Sequence, residues 1–291
     1  MNKTNFAASL LLFILCHNSP KASLIAPQKI YCTHPQVCNL AKSILPLSGD
    51  VPELILAYKP HGDIHEATPT ASEMKNLASS EYLIIGPSEL HPWSKKLLDL
   101  RKNKMGSTLI LKIQKEKLEN YPNYKDAPMT SLAHFWLYPE IAMELQKNLA
   151  QEFANRFGLQ ASEEPSGLLF FRETQHNLNS KLSKLKGALV IVTHNALVPL
   201  LKENGALVFS LKANEQGEVP PLILKKLEEN LKKAAEEKTI WILEKNISVS
   251  SQIQKLIKPT HKKIEVMIEG SMNEKLESPL THLFEKIEAL K

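Results

Sequence analysis

The stretch Ala188-Leu-Val-Ile-Val-Thr193 decides the fold class of this chain. It is rich in β-branched residues and has no polar residue at alternate positions, which is typical of a strand buried on both faces. Such strands occur in parallel sheets, where helices cover both sides. His194 follows directly and therefore stands at the carboxyl end of the strand, the edge at which open α/β sheets gather ligands.

Similar apolar runs alternate with helical patterns on both sides of this stretch. The other runs expected to form strands are 30–33, 54–57, 82–85, 108–113, 206–211, 239–243 and 264–268. The helical patterns between them cover 35–44, 72–79, 93–102, 196–203, 221–237 and 250–257. This alternation predicts an α/β protein with two Rossmann-like lobes, each a mostly parallel sheet wrapped by helices.

A helical pattern over 170–186, closed by Gly187, lies between the two groups of strands. Its apolar residues fall near one face, and a glycine is the usual residue beyond a helix end. We therefore expect one long linking helix at 166–187 between an N-terminal lobe at 24–165 and a C-terminal lobe at 188–291, with a cleft between the lobes.

Composition narrows the class of protein. The chain has 291 residues and a net charge of +5. Its length and its 43% hydrophobic residues are sufficient to form one or two hydrophobic cores. The lysines are scattered through helices that also carry glutamate, a pattern typical of solvated helix faces. No zinc-finger spacing or aromatic stacking motif indicates a nucleic-acid partner.

The N-terminus indicates export. Lys3 precedes the apolar run Phe6-Ala-Ala-Ser-Leu-Leu-Leu-Phe-Ile-Leu15, which is too short to span a bilayer, so 1–23 is interpreted as a signal peptide. A lipid anchor at Cys16 is not expected, because Leu15 is too bulky for a good lipobox. The remaining pair, Cys32 and Cys38, is expected to form a disulfide in an exported protein; a metal role for the pair has no second cysteine pair to support it.

Four polar residues stand just beyond apolar runs, two in each lobe. They are His194, Glu269 after 264–268, His65 ahead of the helix-capping pattern Thr70-Ala-Ser-Glu73, and His134 ahead of a helix that begins at Pro139. Three imidazoles and one carboxylate suit zinc, with manganese or iron as weaker candidates. Such ligands bind only when unprotonated, so binding should weaken as the pH falls through the range in which histidine titrates.

Several segments carry a resemblance to a known family. They are Ile64-His65-Glu-Ala-Thr-Pro-Thr-Ala-Ser-Glu-Met-Lys-Asn-Leu77, Tyr82-Leu-Ile-Ile-Gly-Pro87, His134-Phe-Trp-Leu-Tyr-Pro-Glu-Ile-Ala142, Thr193-His194-Asn-Ala-Leu-Val-Pro199, Asn204-Gly-Ala-Leu-Val-Phe209, Val219-Pro-Pro221, Ile240-Trp-Ile-Leu-Glu244 and Glu269-Gly-Ser-Met272. Over nearly the whole mature chain, the sequence resembles the cluster A-I periplasmic metal-binding proteins of bacterial ABC importers, the ZnuA/TroA-like group.

The resemblance implies two α/β lobes joined by one long helix. It implies a monomeric, non-enzymatic periplasmic protein that captures a divalent cation and delivers it to an inner-membrane ABC permease with its cytoplasmic ATPase. By this resemblance the ligands are His65, His134, His194 and Glu269, and a histidine at position 194 favours zinc over manganese. We also expect Asp63 and Glu66 to orient His65 through hydrogen bonds.

The chain departs from the family pattern at two places. Glu269 stands where the family often has aspartate, and 112–126 is a short lysine-rich segment instead of a long histidine-rich loop. Two alternatives stay open: an exported zinc hydrolase, for which Glu66 is the only candidate base, and a surface adhesin. His91 is expected to make a surface contact, and a structural role is expected for Glu244. No supporting context assigns a role to His34, His176, His261 or His282.

Overall fold

The computed structural model describes residues 27–46, 51–58, 67–114, 118, 124, 126–158, 167–211, 219–245 and 249–290. The predicted signal peptide with Cys16, and the segment that carries Asp63, His65 and Glu66, lie outside these residues. Within the described ranges, no helix is both long enough and apolar enough to cross a membrane.

The N-terminal lobe is built on a four-stranded parallel sheet. Its strands are β1 (Lys29–Cys32), β2 (Glu53–Leu56), β3 (Leu83–Ile85) and β4 (Thr108–Ile110), in the spatial order β2-β1-β3-β4. The connecting helices are α1 (Pro35–Ile44), α2 (Ala71–Ser79) and α3 (Ser94–Leu100). The predicted capping pattern at the start of α2 is present, with the side chains of Thr70 and Glu73 each accepting the other's backbone N–H.

The middle of the chain is helical. It contains α4 (Met129–Leu132), a 3₁₀ turn at Phe135–Leu137, α5 (Pro139–Phe157), α6 (Leu168–Lys181) and a second 3₁₀ turn at Ser183–Leu185. The helix expected to run through 170–186 is therefore an α-helix that ends at Lys181 and continues as a tighter turn. Helix α6 packs against α5 on one side.

The C-terminal lobe repeats the topology of the first. Its parallel strands are β5 (Leu189–Val192), β6 (Leu207–Ser210), β7 (Thr239–Glu244) and β8 (Lys262–Val266), in the order β6-β5-β7-β8. The helices are α7 (Leu197–Glu203), α8 (Pro221–Lys233), α9 (Ser251–Leu256) and α10 (Ser278–Glu288). Helix α10 also contacts α6, so α6 lies between elements of the two lobes.

Strand β5 is buried on both faces, as its sequence predicts. Val190 and Val192 belong to a large apolar core that extends through both lobes, whereas Leu189 and Ile191 pack in a second core with residues of α8 and α9. Strand β3 alternates in the same way in the N-terminal lobe, with Ile84 in the large core and Leu83 and Ile85 in a third core. Both parallel sheets are therefore covered on two faces, which confirms the predicted α/β class with two lobes.

A disulfide joins Cys32, at the end of β1, to Cys38 in the first turns of α1. The cross-link closes a loop with a sequence separation of 6 and restricts the unfolded chain, which predicts a contribution of about 2 kcal/mol to stability. We expect reductant to lower the free energy of unfolding in guanidinium by this amount. The variant C32A/C38A should be insensitive to reductant, and an equal response of both proteins would contradict the assignment.

Candidate metal site

Three of the predicted ligands converge where the two lobes meet. His134 precedes the 3₁₀ turn before α5, His194 follows β5 closely, and Glu269 lies shortly after β8. Oε1 of Glu269 is 3.3 Å from Nε2 of His134 and 3.1 Å from Nε2 of His194. All three ligand atoms lie within 4.8 Å of one another, a spacing that one cation could bridge. The fourth predicted ligand, His65, is outside the described residues.

The cluster is shielded from solvent. His134 is 2% exposed and His194 is 9% exposed. Burial acts to raise the pKa of the Glu269 carboxyl, but the imidazoles of His134, His194 and His34 outweigh it and hold this pKa well below its ordinary value. An ionised carboxylate among imidazoles, away from water, is a strong attractor for a divalent cation.

His134 already has the tautomer that a metal ligand needs. Its Nδ1 lies 3.1 Å from the carbonyl oxygens of both Thr130 and Ser131, so Nδ1 carries the proton and donates to the backbone. Nε2 is then the ring nitrogen that faces Glu269 and is the one available to a cation. The 3₁₀ turn after His134 leads into α5, whose first residue, Pro139, fits the first helical position without loss of a hydrogen bond.

His194 is held differently. Its Nδ1 accepts a hydrogen bond from the backbone N–H of Ala196 at 3.1 Å, so the proton of the neutral ring is on Nε2 and faces Glu269. Binding a cation through Nε2 therefore requires the proton to leave Nε2 and the contact with Ala196 to open. Glu244, at the end of β7, is buried and places Oε2 3.6 Å from the same Nε2.

The structure adds a residue for which the sequence suggested no role. His34 is completely buried, stacks on Trp136 with ring centroids 4.9 Å apart, and places Nε2 3.2 Å from Oε2 of Glu269. The available signal was its position directly after the apolar run 30–33, the same relation that His194 has to its own run. His91, expected at the surface, is instead fully buried and stacked on Trp93 at 4.9 Å.

First-lobe side chains hold the segment that carries Glu269. The indole Nε1–H of Trp136 donates to the carbonyl of Ile268 at 2.8 Å, and the amide of Asn39 donates to the carbonyl of Ser271 at 2.8 Å. These bonds are made on both sides of Glu269 in the sequence. The carboxylate is therefore positioned by the opposite lobe even without a cation.

Gly270 lets this segment approach the first lobe closely. Its φ of +66° lies in the left-handed region that favours glycine. A Cβ at this position would lie 2.0 Å from Nε2 of Gln36 on α1. A larger residue at position 270 would thus have to adopt a strained backbone conformation and push the Gln36 amide aside.

The loop after His194 is held in the same way. The hydroxyl of Tyr138 donates to the carbonyl of Ala196, and the hydroxyl of Ser131 donates to the carbonyl of Asn195 at 3.2 Å. Residues 131–138 therefore contain one predicted ligand and also contact both segments that carry the other two predicted ligands.

Comparison with known proteins agrees with this architecture. A family model described as "ZnuA: Zinc-uptake complex component A periplasmic" matches residues 30–283, whereas no curated protein matches. A crystal structure of ZnuA aligns with a TM-score of 0.62 and 16% identity over 92% of this chain and 100% of that chain. AdcAII of Streptococcus pneumoniae gives a TM-score of 0.64 and 18% identity over 91% and 99% of the two chains. The laminin-binding protein Lmb of Streptococcus agalactiae, described as having adhesin and metal-transporting activity, gives 0.62 and 15% over 90% and 99%.

Proposed function

The chain belongs to the periplasmic zinc-uptake component A family, and from this premise we propose that it captures zinc between its lobes and delivers it to an ABC permease. The observation that carries the proposal is the convergence of His134, His194 and Glu269 from both lobes. We propose His65 as the fourth ligand, with Asp63 and Glu66 orienting it. Capture needs no catalytic group, because four protein ligands complete a tetrahedral zinc and leave no position for a reactive water.

The donor set supports zinc as the cargo. Imidazole nitrogens suit zinc better than manganese, whose sites are usually richer in oxygen. Iron(II) accepts mixed nitrogen and oxygen ligands and is the second cation to test. The streptococcal Lmb shares only the fold at 15% identity, so its adhesin activity is not proposed for this chain.

The proposed role in transport implies partners at the inner membrane. In this role the protein is exported by the signal at 1–23, loads a cation in the periplasm and docks on an inner-membrane permease driven by a cytoplasmic ATPase. The segment 112–126 lacks histidine, so collection of zinc falls to the site between the lobes.

The proposal is tested by competitive titration of the mature, metal-stripped protein with zinc, manganese and anaerobic iron(II). We expect one zinc per chain, bound more tightly than either competitor. Zinc at about 100 times its Kd should add about 2.7 kcal/mol to the free energy of unfolding by mass action. Absence of stoichiometric zinc, or no rise in melting temperature, would reject a capture role; tighter binding of manganese would reject zinc as the cargo.

A further inference from the structure

The two lobes carry the same short motif at the end of equivalent strands. Thr33-His34 follows β1 and Thr193-His194 follows β5 closely, and each strand occupies the second position in its sheet. The Thr33 hydroxyl accepts the N–H of Gly86 at 3.0 Å, and the Thr193 hydroxyl accepts the N–H of Glu244 at 2.8 Å. His34 is therefore the counterpart, in the first lobe, of the proposed ligand His194.

The histidines of this repeated motif also bind their own backbone in the same way. Nδ1 of His34 accepts the N–H of Gln36 at 3.0 Å, as Nδ1 of His194 accepts that of Ala196. An accepting Nδ1 leaves the proton of His34 on Nε2. In this arrangement His34 donates from Nε2 to Oε2 of Glu269.

The two oxygens of Glu269 have different neighbours. Oε1 faces Nε2 of His134 and Nε2 of His194, at 3.3 and 3.1 Å. Oε2 faces Nε2 of His34 at 3.2 Å. The described cluster of ligand atoms within 4.8 Å contains His134, His194 and Glu269 but not His34, which fits a role beside the ligands and not among them.

We infer that His34 is a positioning residue that binds Oε2 of Glu269, so that this carboxylate offers a cation one oxygen only. This inference rests on the proposed function and refines it. One carboxylate oxygen together with imidazoles favours a four-coordinate cation such as zinc. A carboxylate released to bind through both oxygens would raise the number of oxygen ligands and favour manganese.

The surroundings of His34 suit such a role. His34 lies in the chain loop that the Cys32–Cys38 disulfide closes. The Trp136 ring stacks on it, and its Nδ1 caps α1. These contacts lock the ring on rigid elements, as a residue that orients a ligand requires.

Two substitutions separate positioning from helix capping. H34N keeps an oxygen that can accept the N–H of Gln36 but is too short to reach Glu269, whereas H34Q keeps an amide donor long enough to reach Glu269 but loses the ideal cap. Cobalt(II) is the spectroscopic probe, because four-coordinate cobalt absorbs visible light much more strongly than cobalt with more ligands. Zinc and manganese affinities are measured by competition on the same samples.

We expect H34N to melt near the wild-type temperature, to lose most of the visible absorption of the cobalt form, and to bind zinc about 10- to 100-fold more weakly. Its ratio of zinc to manganese affinity should fall at least about tenfold. H34Q should melt lower yet keep the wild-type cobalt spectrum. A wild-type spectrum and ratio in H34N, or changes in both variants that follow only the melting temperature, would overturn the inference.

A measurement on the wild-type protein decides the question without a variant. Nitrogen-15 shifts of His34 should report a proton on Nε2 in both the metal-free and the zinc-loaded forms. A zinc-bound Nε2, or a proton on Nδ1, would overturn the positioning role. Normal zinc binding with such a result rejects only this inference, whereas a wild-type chain that binds no zinc rejects the proposed function as well.

Discussion

H134A is expected to weaken zinc binding by more than about 100-fold while the fold persists. Loss of a residue that merely orients a metal ligand typically costs about 10- to 100-fold, and His134 is proposed as a ligand itself. The carbonyls of Thr130 and Ser131 fix its Nδ1–H and so hold Nε2 toward Glu269, and alanine offers no donor atom in that place. A water that replaced the imidazole would bring neither its basicity nor its fixed position.

Competition with a chelator of known zinc affinity measures the loss, and circular dichroism checks the fold. H176A is the matched control, because His176 is an exposed residue on α6. It loses the same side chain at an exposed position outside the described ligand cluster and should bind zinc as the wild type does. Unchanged affinity in H134A would remove His134 from the site and, with it, the convergence on which the proposed function depends.

Local chemistry explains why much of the fold could be predicted. Helix α1 was predicted at its observed bounds because Pro35 marks its start, and β5 because a run of β-branched residues has few alternatives in an α/β chain. The strand expected at 264–268 instead spans Lys262–Val266. It is an edge strand with exposed alternate residues, so lysines belong to it, while Met267 and Ile268 leave the sheet to reach the other lobe.

The candidate site was predictable only in part for the same reason. His134, His194 and Glu269 follow from strand ends and a family motif, each a local property of the sequence. The contact of His34 with Glu269 joins residues 235 positions apart and exists only because the second lobe docks on α1. The position of His34 directly after an apolar run, like that of His194, marks it as a residue at a strand end but does not reveal its partner in the other lobe.

Trp136 lies where the second lobe packs against the first and should contribute to stability there. W136A should lower the free energy of unfolding by about 3–5 kcal/mol in the presence of a chelator. The indole is fully buried, stacks on His34 and lies 5.2 Å, centroid to centroid, from the His134 ring. Its removal leaves a cavity between the lobes and an unpaired carbonyl at Ile268. Both effects displace the segment that holds Glu269, so zinc affinity should fall together with stability.

A milder substitution separates the hydrogen bond from the volume of the ring. W136F keeps an aromatic ring but removes the donor to Ile268, and a buried unpaired carbonyl costs about 1–3 kcal/mol. W93F is the matched control: the indole of Trp93 also donates to a carbonyl, that of Ala67 at 3.1 Å, but this contact is only partly buried and stays within one lobe. Urea unfolding should therefore show a larger loss for W136F than for W93F, and W136F should also weaken zinc binding. Equal losses of unfolding free energy in the two variants would mean that the bond between Trp136 and Ile268 does not stabilise the contact between the lobes. The position of Glu269 would then depend on the bound cation instead.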